Sequence, residues 1–312
     1  MEPKTILDIS NPNSIADCEI RDAMLAISLR NSNLSWDYAN EYPLVLDRED
    51  TVTSWCAYKY GALVSHANLW PRTLKHLSSQ KTIAIGLIGN VATHPDHRGQ
   101  GHMSTLFDHL AKIAQSQNLQ ALVLWSDMFP FYQTLGFSSI GRETRFEIVK
   151  DDRPRSTGIS IASLKTVTDL DLEVMLSSRP RLDWTLDRTL EEFRTLLSIP
   201  DTHLFIRRKG QKIVSWLLIG KGTDMRGVIH EWGSTSADEL VNDVQSILHD
   251  LDIHELLLLS PGNLHQHWVS TFKSRATAST DHPMALGKPL GNHGGEAVLA
   301  LARGFIWGLD SI

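Results

Sequence analysis

One order of segments occurs twice along this chain, and it limits the folds the chain can adopt. Residues 55–60 run through Gly61 into 62–70, and residues 204–209 run through Gly210 into 213–219. Each is a pair of strand-like runs joined at a glycine, the signature of a β-hairpin. A third strand-like run follows in each half, at 82–93 and at 227–232. Next, Met103, Leu106, Phe107, Leu110, Ile113 and Ala114 recur at the spacing of one helix face. Leu240, Val241, Val244, Ile247, Leu248 and Leu251 do the same in the second half. Each helix leads into a short apolar run, 121–125 and 255–259, which reads as a buried strand. Hairpin, strand, helix, strand, given twice in one order, predicts a tandem duplication of an α/β (α+β) unit.

A chain of 312 residues has the length for two such domains. The division is expected in Lys150-Asp151-Asp152-Arg153-Pro154-Arg155-Ser156, which is charged, contains a proline and has no apolar period. Residues 1–150 would then form one domain and 151–312 the other. Residues 21–29 read as an amphipathic helix carrying Met24, Leu25, Ile27 and Leu29. Residues 275–296, rich in Gly, Pro, His and Thr, read as loop, and 305–309 as a strand-like run.

The composition narrows the function classes. Cys18 and Cys56 are the only cysteines, too few for a disulfide framework and without zinc-type spacing. No apolar run of signal-peptide length follows Met1, and none approaches the roughly 18 residues of a membrane span. A cytoplasmic protein without a membrane partner is expected. A net charge of −6 speaks against a broad nucleic-acid surface, which would be basic.

The segment with the most chemical content is Val91-Ala92-Thr93-His94-Pro95-Asp96-His97-Arg98-Gly99-Gln100-Gly101-His102-Met103-Ser104, between a strand and an amphipathic helix. Its glycines let backbone N–H groups approach an anion closely, and a helix start adds unpaired donors and a positive dipole end. Arg98 can add a bidentate charge contact. Chemistry alone points to a phosphate-bearing ligand. Gly99-x-Gly101-x-x-Ser104 is one residue short of a dinucleotide fingerprint, but those glycines must sit hard against the strand, and here His-Pro-Asp-His intervenes. A Walker loop would need a Lys after the glycines. His94, His97 and His102 have no carboxylate or Cys at ligand spacing, so no metal is expected.

Arg98-Gly99-Gln100-Gly101-His102-Met103 resembles the cofactor loop of the GNAT superfamily of N-acetyltransferases, whose signature is Gln/Arg-x-x-Gly-x-Gly/Ala. Val91-Ala92-Thr93 looks like the end of that family's fourth strand, and Phe131-Tyr132-Gln133-Thr134-Leu135-Gly136-Phe137 resembles a second hallmark of the family. The likeness is clear over about residues 50–145. It implies two tandem GNAT-like domains, each a mixed, largely antiparallel twisted sheet flanked by helices, the second a degenerate copy. It further implies acetyl-CoA as acyl donor and the primary amine of a small molecule as acceptor. By the same resemblance Val91, Ala92 and Thr93 line the pantetheine arm, and residues Gly99 to Ser104 hold the pyrophosphate with Arg98 beside them. Tyr132 protonates the departing sulfur. Asp127 stands where the family often has Asn facing the pantetheine, and a carboxylate there accepts but does not donate.

Two departures from the pattern matter. Met103 replaces the small residue that closes the signature, so the helix start must tolerate a larger side chain or turn it into the core, and its place at the start of the apolar face supports the second. Residues 85–90 contain no Glu, the usual candidate base. His66, His94, Glu231 and the carboxylate of Ile312 are the alternatives, and none is assigned. The missing Glu keeps a second reading open, a non-catalytic acyl-CoA-binding or regulatory protein. In the second half the equivalent connection holds Ser236-x-x-Glu239, the pattern of a capping box, in which side chains occupy the N–H groups a pyrophosphate would need. That half is expected not to bind CoA.

Overall fold

The computed structural model describes residues 7–30, 38–152 and 157–312. Met1, and residues 153–156 of the expected domain boundary, lie outside the described residues. In chain order the first half holds β1 (Asp8–Ser10), α1 (Ile15–Arg30), β2 (Ser54–Lys59), β3 (Ala62–His76), β4 (Thr82–Thr93), α2 (His102–Ser116), β5 (Ala121–Leu124), α3 (Phe129–Thr134), β6 (Ser138–Ile140) and β7 (Glu143–Val149). The second half opens with β8 (Ile159–Ile161), α4 (Asp169–Ser178), β9 (Trp184–Leu186) and α5 (Leu190–Leu197). It continues with β10 (His203–Lys209), β11 (Lys212–Ile219), β12 (Val228–Ser234), α6 (Ala237–Asp250) and β13 (Glu255–Pro261). It closes with α7 (Gln266–Arg275), β14 (Ala278–His282), β15 (Ala285–Pro289), α8 (Gly294–Arg303) and β16 (Gly304–Phe305).

These strands form two mixed sheets, and the predicted hairpins, third strands, helices and buried strands occupy corresponding places in both. The first sheet has the order β1-β2-β3-β4-β5-β15-β6, with β9 joined to the far end of β3 and β16 to β9. The second has the order β14-β7-β13-β12-β11-β10-β8. Pairing is antiparallel except at β4–β5, β12–β13 and β9–β16.

Each half lends the other a strand. β7 of the first half lies between β13 and β14, and β15 of the second half lies between β5 and β6. The exchange binds the halves through backbone hydrogen bonds and produces one apolar core that includes Ile85, Leu87 and Val123 as well as Leu217, Ile229 and Trp232. Residues 275–296 are therefore not a loop: β14, β15 and the start of α8 lie within them. Turn-forming residues there mark the ends of two short strands whose partners are remote in sequence. The strand-like run at 305–309 is likewise corrected, because only Gly304–Phe305 pairs, with β9, and Gly308–Asp310 forms a single 3-10 turn.

The helix faces follow the sequence periods closely. Met103, Leu106, Phe107, Leu110 and Ala114 of α2 are buried against Leu69, Leu122 and Leu124 of the first sheet. Each of the larger of these side chains contributes about 1.5–3 kcal/mol by leaving water. In α6, Leu240, Val241, Val244, Ile247 and Leu248 are buried, whereas Leu251 is the C-cap and half exposed. α1 buries Met24 and Leu25, and Leu29 stays exposed at its end.

Candidate active site

The site forms where β4 and β5 part. They pair only at Gly86↔Leu122 and Leu87↔Val123, after which β4 continues to Thr93 with no partner on that side. On its other side β4 carries a bulge: Asn68 of β3 faces Gly89 and His66 faces Ala92, so Asn90 and Val91 oppose Ala67 alone. Asn90 sits in the left-handed region, at φ 47°.

Buried polar groups hold that conformation. The Tyr38 hydroxyl donates to Asn90 Oδ1 at 3.0 Å, and Asn90 Nδ2 donates to Asn68 Oδ1 at 3.0 Å. Asn68 Nδ2 reaches the Val45 carbonyl at 2.8 Å, and Arg21 Nη1 reaches Ser54 Oγ at 3.0 Å. His66 Nδ1 donates to the Asn90 carbonyl at 2.9 Å. Burial lowers the His66 pKa to about 3, outweighing that hydrogen bond, so the ring is neutral and structural. A pKa that low makes it a weak base, and the ring borders neither of the two cavities that meet at Val91.

Two cavities meet at Val91. The first, of about 550 Å3, is lined by Val91, Ala92 and Thr93, by Arg98 to Ser104 in sequence, and by Tyr132, together with Ser28, Leu29, His97, Met128 and Phe131. Thus all the residues predicted to hold the cofactor except Asp127 border one space. Gly99 (φ 74°) and Gly101 (φ 77°) are both left-handed, which a Cβ would strain. Gly101 caps α2 without any side-chain hydrogen bond, so the N–H groups of the first turn face the cavity uncovered. Arg98 is anchored, its Nε donating to the Thr93 carbonyl at 3.2 Å and its Nη2 to the Ser28 carbonyl at 3.1 Å. Met103 turns into the core beside Leu106, as its place on the helix face requires.

The second cavity, of about 420 Å3, is lined by Gly89, Asn90, Leu124, Trp125, Ser126 and Asp127, by Tyr38 and Tyr42, and by Asp224 and Ile312 of the second half. Leu29, Val91, Met128 and Tyr132 border both cavities. Asp127 is on this side. Tyr38, Tyr42 and Asp224 were not legible in the sequence, because no period or motif announces walls contributed by a turn and a remote loop.

Tyr132 is 5% exposed, with edge-on ring contacts to Phe107, Phe131 and Phe137. Burial pushes its pKa up to about 12 against the lowering effect of a hydrogen bond with Ser126, so the hydroxyl keeps its proton at neutral pH. Glu231 does not reach the site. It is fully buried and accepts from Arg188 at 2.9 Å and Arg179 at 3.2 Å.

The last residues reach the second cavity because the second half grips them. Lys221 is buried, and its ammonium donates to the carbonyls of Gly308 (3.1 Å), Leu309 (3.3 Å) and Ser311. Burial lowers its pKa to about 8. Arg188 pairs with Asp310 at 2.5 Å. The segment ends with the Ile312 backbone against Gly89, where a Cβ would collide with it. Gly89→Ala is therefore expected to cost at least about 1 kcal/mol by overpacking. Urea denaturation checks this, and an unchanged midpoint would mean that the segment moves aside freely.

The corresponding helix start of the second half is built differently. It is covered by Ser236 Oγ, which accepts from the Glu239 N–H at 3.2 Å. The predicted capping box is only half made, since the Glu239 carboxylate takes the Thr235 hydroxyl at 2.6 Å instead of the Ser236 N–H. Among the described residues no group of three His, Cys, Asp or Glu side chains could hold a metal ion, and no helix is long and apolar enough to cross a membrane.

A family model described as an acetyltransferase (GNAT) domain matches residues 28–140. No curated protein matches the sequence. Among solved structures the chain is similar to a GCN5-related N-acetyltransferase from Anabaena variabilis, at TM-score 0.67 and 13% identity over 92% of this chain and 73% of that one. A probable N-acyltransferase from Enterococcus faecalis gives TM-score 0.68 and 14% identity over the same shares. The N-myristoyltransferase of Saccharomyces cerevisiae with bound myristoyl-CoA gives TM-score 0.60 and 9% identity over 93% of this chain and 81% of that one. At these identities the likeness is one of fold. The chain has a GNAT-like fold.

Proposed function

We propose that this chain, which carries a GNAT acetyltransferase domain over residues 28–140, transfers an acetyl group from acetyl-CoA to the primary amine of a small molecule. The observation that carries the reading is the meeting of two cavities at Val91 and Tyr132, one bordered by an uncapped helix start and one by carboxylates and aromatic rings. The residues suit CoA: left-handed glycines bare the N–H groups of α2, and the open edge of β4 offers backbone partners to an amide-bearing arm. Acetyl-CoA supplies a thioester carbonyl and a sulfur leaving group.

In this reading the pyrophosphate lies on residues 99–104, with Arg98 beside it, and the arm lies along residues 91–93. The Val91 N–H, in the bulge, stabilises the oxyanion of the tetrahedral intermediate. The acceptor amine enters through the second cavity. A free amine has a pKa near 10 and must lose a proton before attack; Asp127 and Asp224 border the space into which that proton leaves. Tyr132 assists the departing sulfur.

Thermal and urea unfolding with CoA, acetyl-CoA, ATP and NAD test the donor. A ligand at 100 times its dissociation constant adds about 2.7 kcal/mol. Stabilisation by CoA and acetyl-CoA alone is expected, and its absence would remove the reading. Turnover across a panel of small amines then separates enzyme from binding protein, since stabilisation without turnover would favour a non-catalytic acyl-CoA-binding role.

A further inference from the structure

A third cavity, of about 400 Å3, shares no lining residue with the two at the site. It opens between the end of α4, the connection to β9 and Trp307. Its walls include Leu77, Leu176, Leu182 and Trp307, and its polar groups include the guanidinium of Arg179 and the exposed Arg181. Leu77 is 49% exposed at its rim, an apolar side chain that the fold leaves without cover.

Arg179 is the unusual member. Its side chain is 10% exposed; Nε donates to the Leu176 carbonyl at 3.4 Å, and among the described residues its ion-pair partner is Glu231, 3.2 Å away on an oxygen that also serves Arg188 at 2.9 Å. Arg188 has a second carboxylate, Asp310, while Arg207 has both Asp243 and Glu239. The pKa values follow this division. Carboxylates raise those of Arg188, Arg207 and Arg208, whereas burial lowers that of Arg179 despite Glu231. A guanidinium held away from water that shares its carboxylate with a second arginine gains from an additional anion.

We propose that this cavity is a second ligand site for an amphipathic organic anion, a medium-chain carboxylate by size, whose carboxylate lies between Arg179 and Arg181 and whose chain covers Leu77, Leu176, Leu182 and Trp307. A space of this volume, mostly apolar with a few convergent polar groups, has the make-up of a small-molecule pocket. The carboxylate completes the coordination of Arg179, and the chain covers the apolar rim. The site is independent of the acyl-transfer reading, since none of its residues belongs to that chemistry.

The test is calorimetric titration with octanoate and with uncharged 1-octanol, on native protein and on Arg181→Glu, which separates this cavity from the first whether or not CoA binds there. Native protein is expected to bind octanoate at least about tenfold more tightly than the alcohol, the difference a charge-assisted hydrogen bond makes. Arg181→Glu, a change on an exposed side chain, is expected to weaken octanoate at least about fivefold and to leave both the alcohol and the unliganded melting temperature unchanged. Equal affinities for acid and alcohol would overturn the proposal. So would no binding, or octanoate affinity indifferent to Arg181→Glu, which would place the ligand elsewhere.

Discussion

Replacing Tyr132 with phenylalanine is expected to lower kcat about 10- to 150-fold, the loss of one hydrogen bond to a developing charge of about 1.5–3 kcal/mol. The donor's affinity should stay within about twofold, because the substitution removes an interaction made only as the sulfur departs. Phenylalanine keeps the ring contacts with Phe107 and Phe137 at 5.8 and 5.9 Å, so the cavity wall should hold its shape. The size of the effect follows from the environment. With a pKa pushed up to about 12, the hydroxyl is a weaker acid than a free thiol near 8.5, so complete proton transfer to the departing thiolate is uphill. It acts by stabilising charge as it forms. Steady-state and single-turnover rates on native and substituted protein measure this. A loss of about a thousandfold or more would point to full proton transfer. A rate within about twofold of native would mean that Tyr132 is a wall and not an acid.

What could be read from the sequence was local. The helix faces follow the apolar periods of α2 and α6, and the glycines at 99 and 101 adopt the left-handed conformations that make the loop suited to phosphate. Met103 turned inward because the same side chain starts an apolar face. What could not be read depends on partners remote in the chain. β15 is five residues long and is held by β5 and β6, more than 140 residues earlier, so the region around it has the composition of a loop while its hydrogen bonds are those of a strand. The second cavity is similarly non-local: Tyr38 belongs to a 3-10 turn and Tyr42 follows it directly, Asp224 belongs to a loop of the second half, and Ile312 to a segment held by Lys221 and Arg188. Glu231 shows the opposite failure. An acidic residue beside a tryptophan on a strand suited a cleft, yet it serves two buried arginines.

One side chain fills in the second half the gap that is open in the first, and removing it should be costly. β12 and β13 pair at Val228↔Leu257 and Ile229↔Leu258 and then part, as β4 and β5 part after Leu87↔Val123. Counting three residues beyond the last pair gives Asn90 in the first sheet and Trp232 in the second. Where the first sheet has an open cavity beside Asn90, the second has a fully buried indole, whose Nε1 donates across the gap to the Leu259 carbonyl at 2.9 Å. Trp268, Phe272 and Trp307 pack around it at 5.3–5.9 Å. Trp232→Ala is expected to destabilise the protein by about 3–5 kcal/mol through the cavity it leaves, as measured by urea unfolding. The opened gap should still not accept CoA. Asp238 and Glu239 lie in the first turn of α6, Ser236 occupies an N–H that a phosphate would need, and the connection from β12 is too short to supply a glycine loop. Calorimetry on the substituted protein, at a temperature where it stays folded, should therefore count one CoA per chain. Two would show that the indole alone closes the second half, and a stability loss under about 1 kcal/mol would show that the surrounding rings collapse into its place.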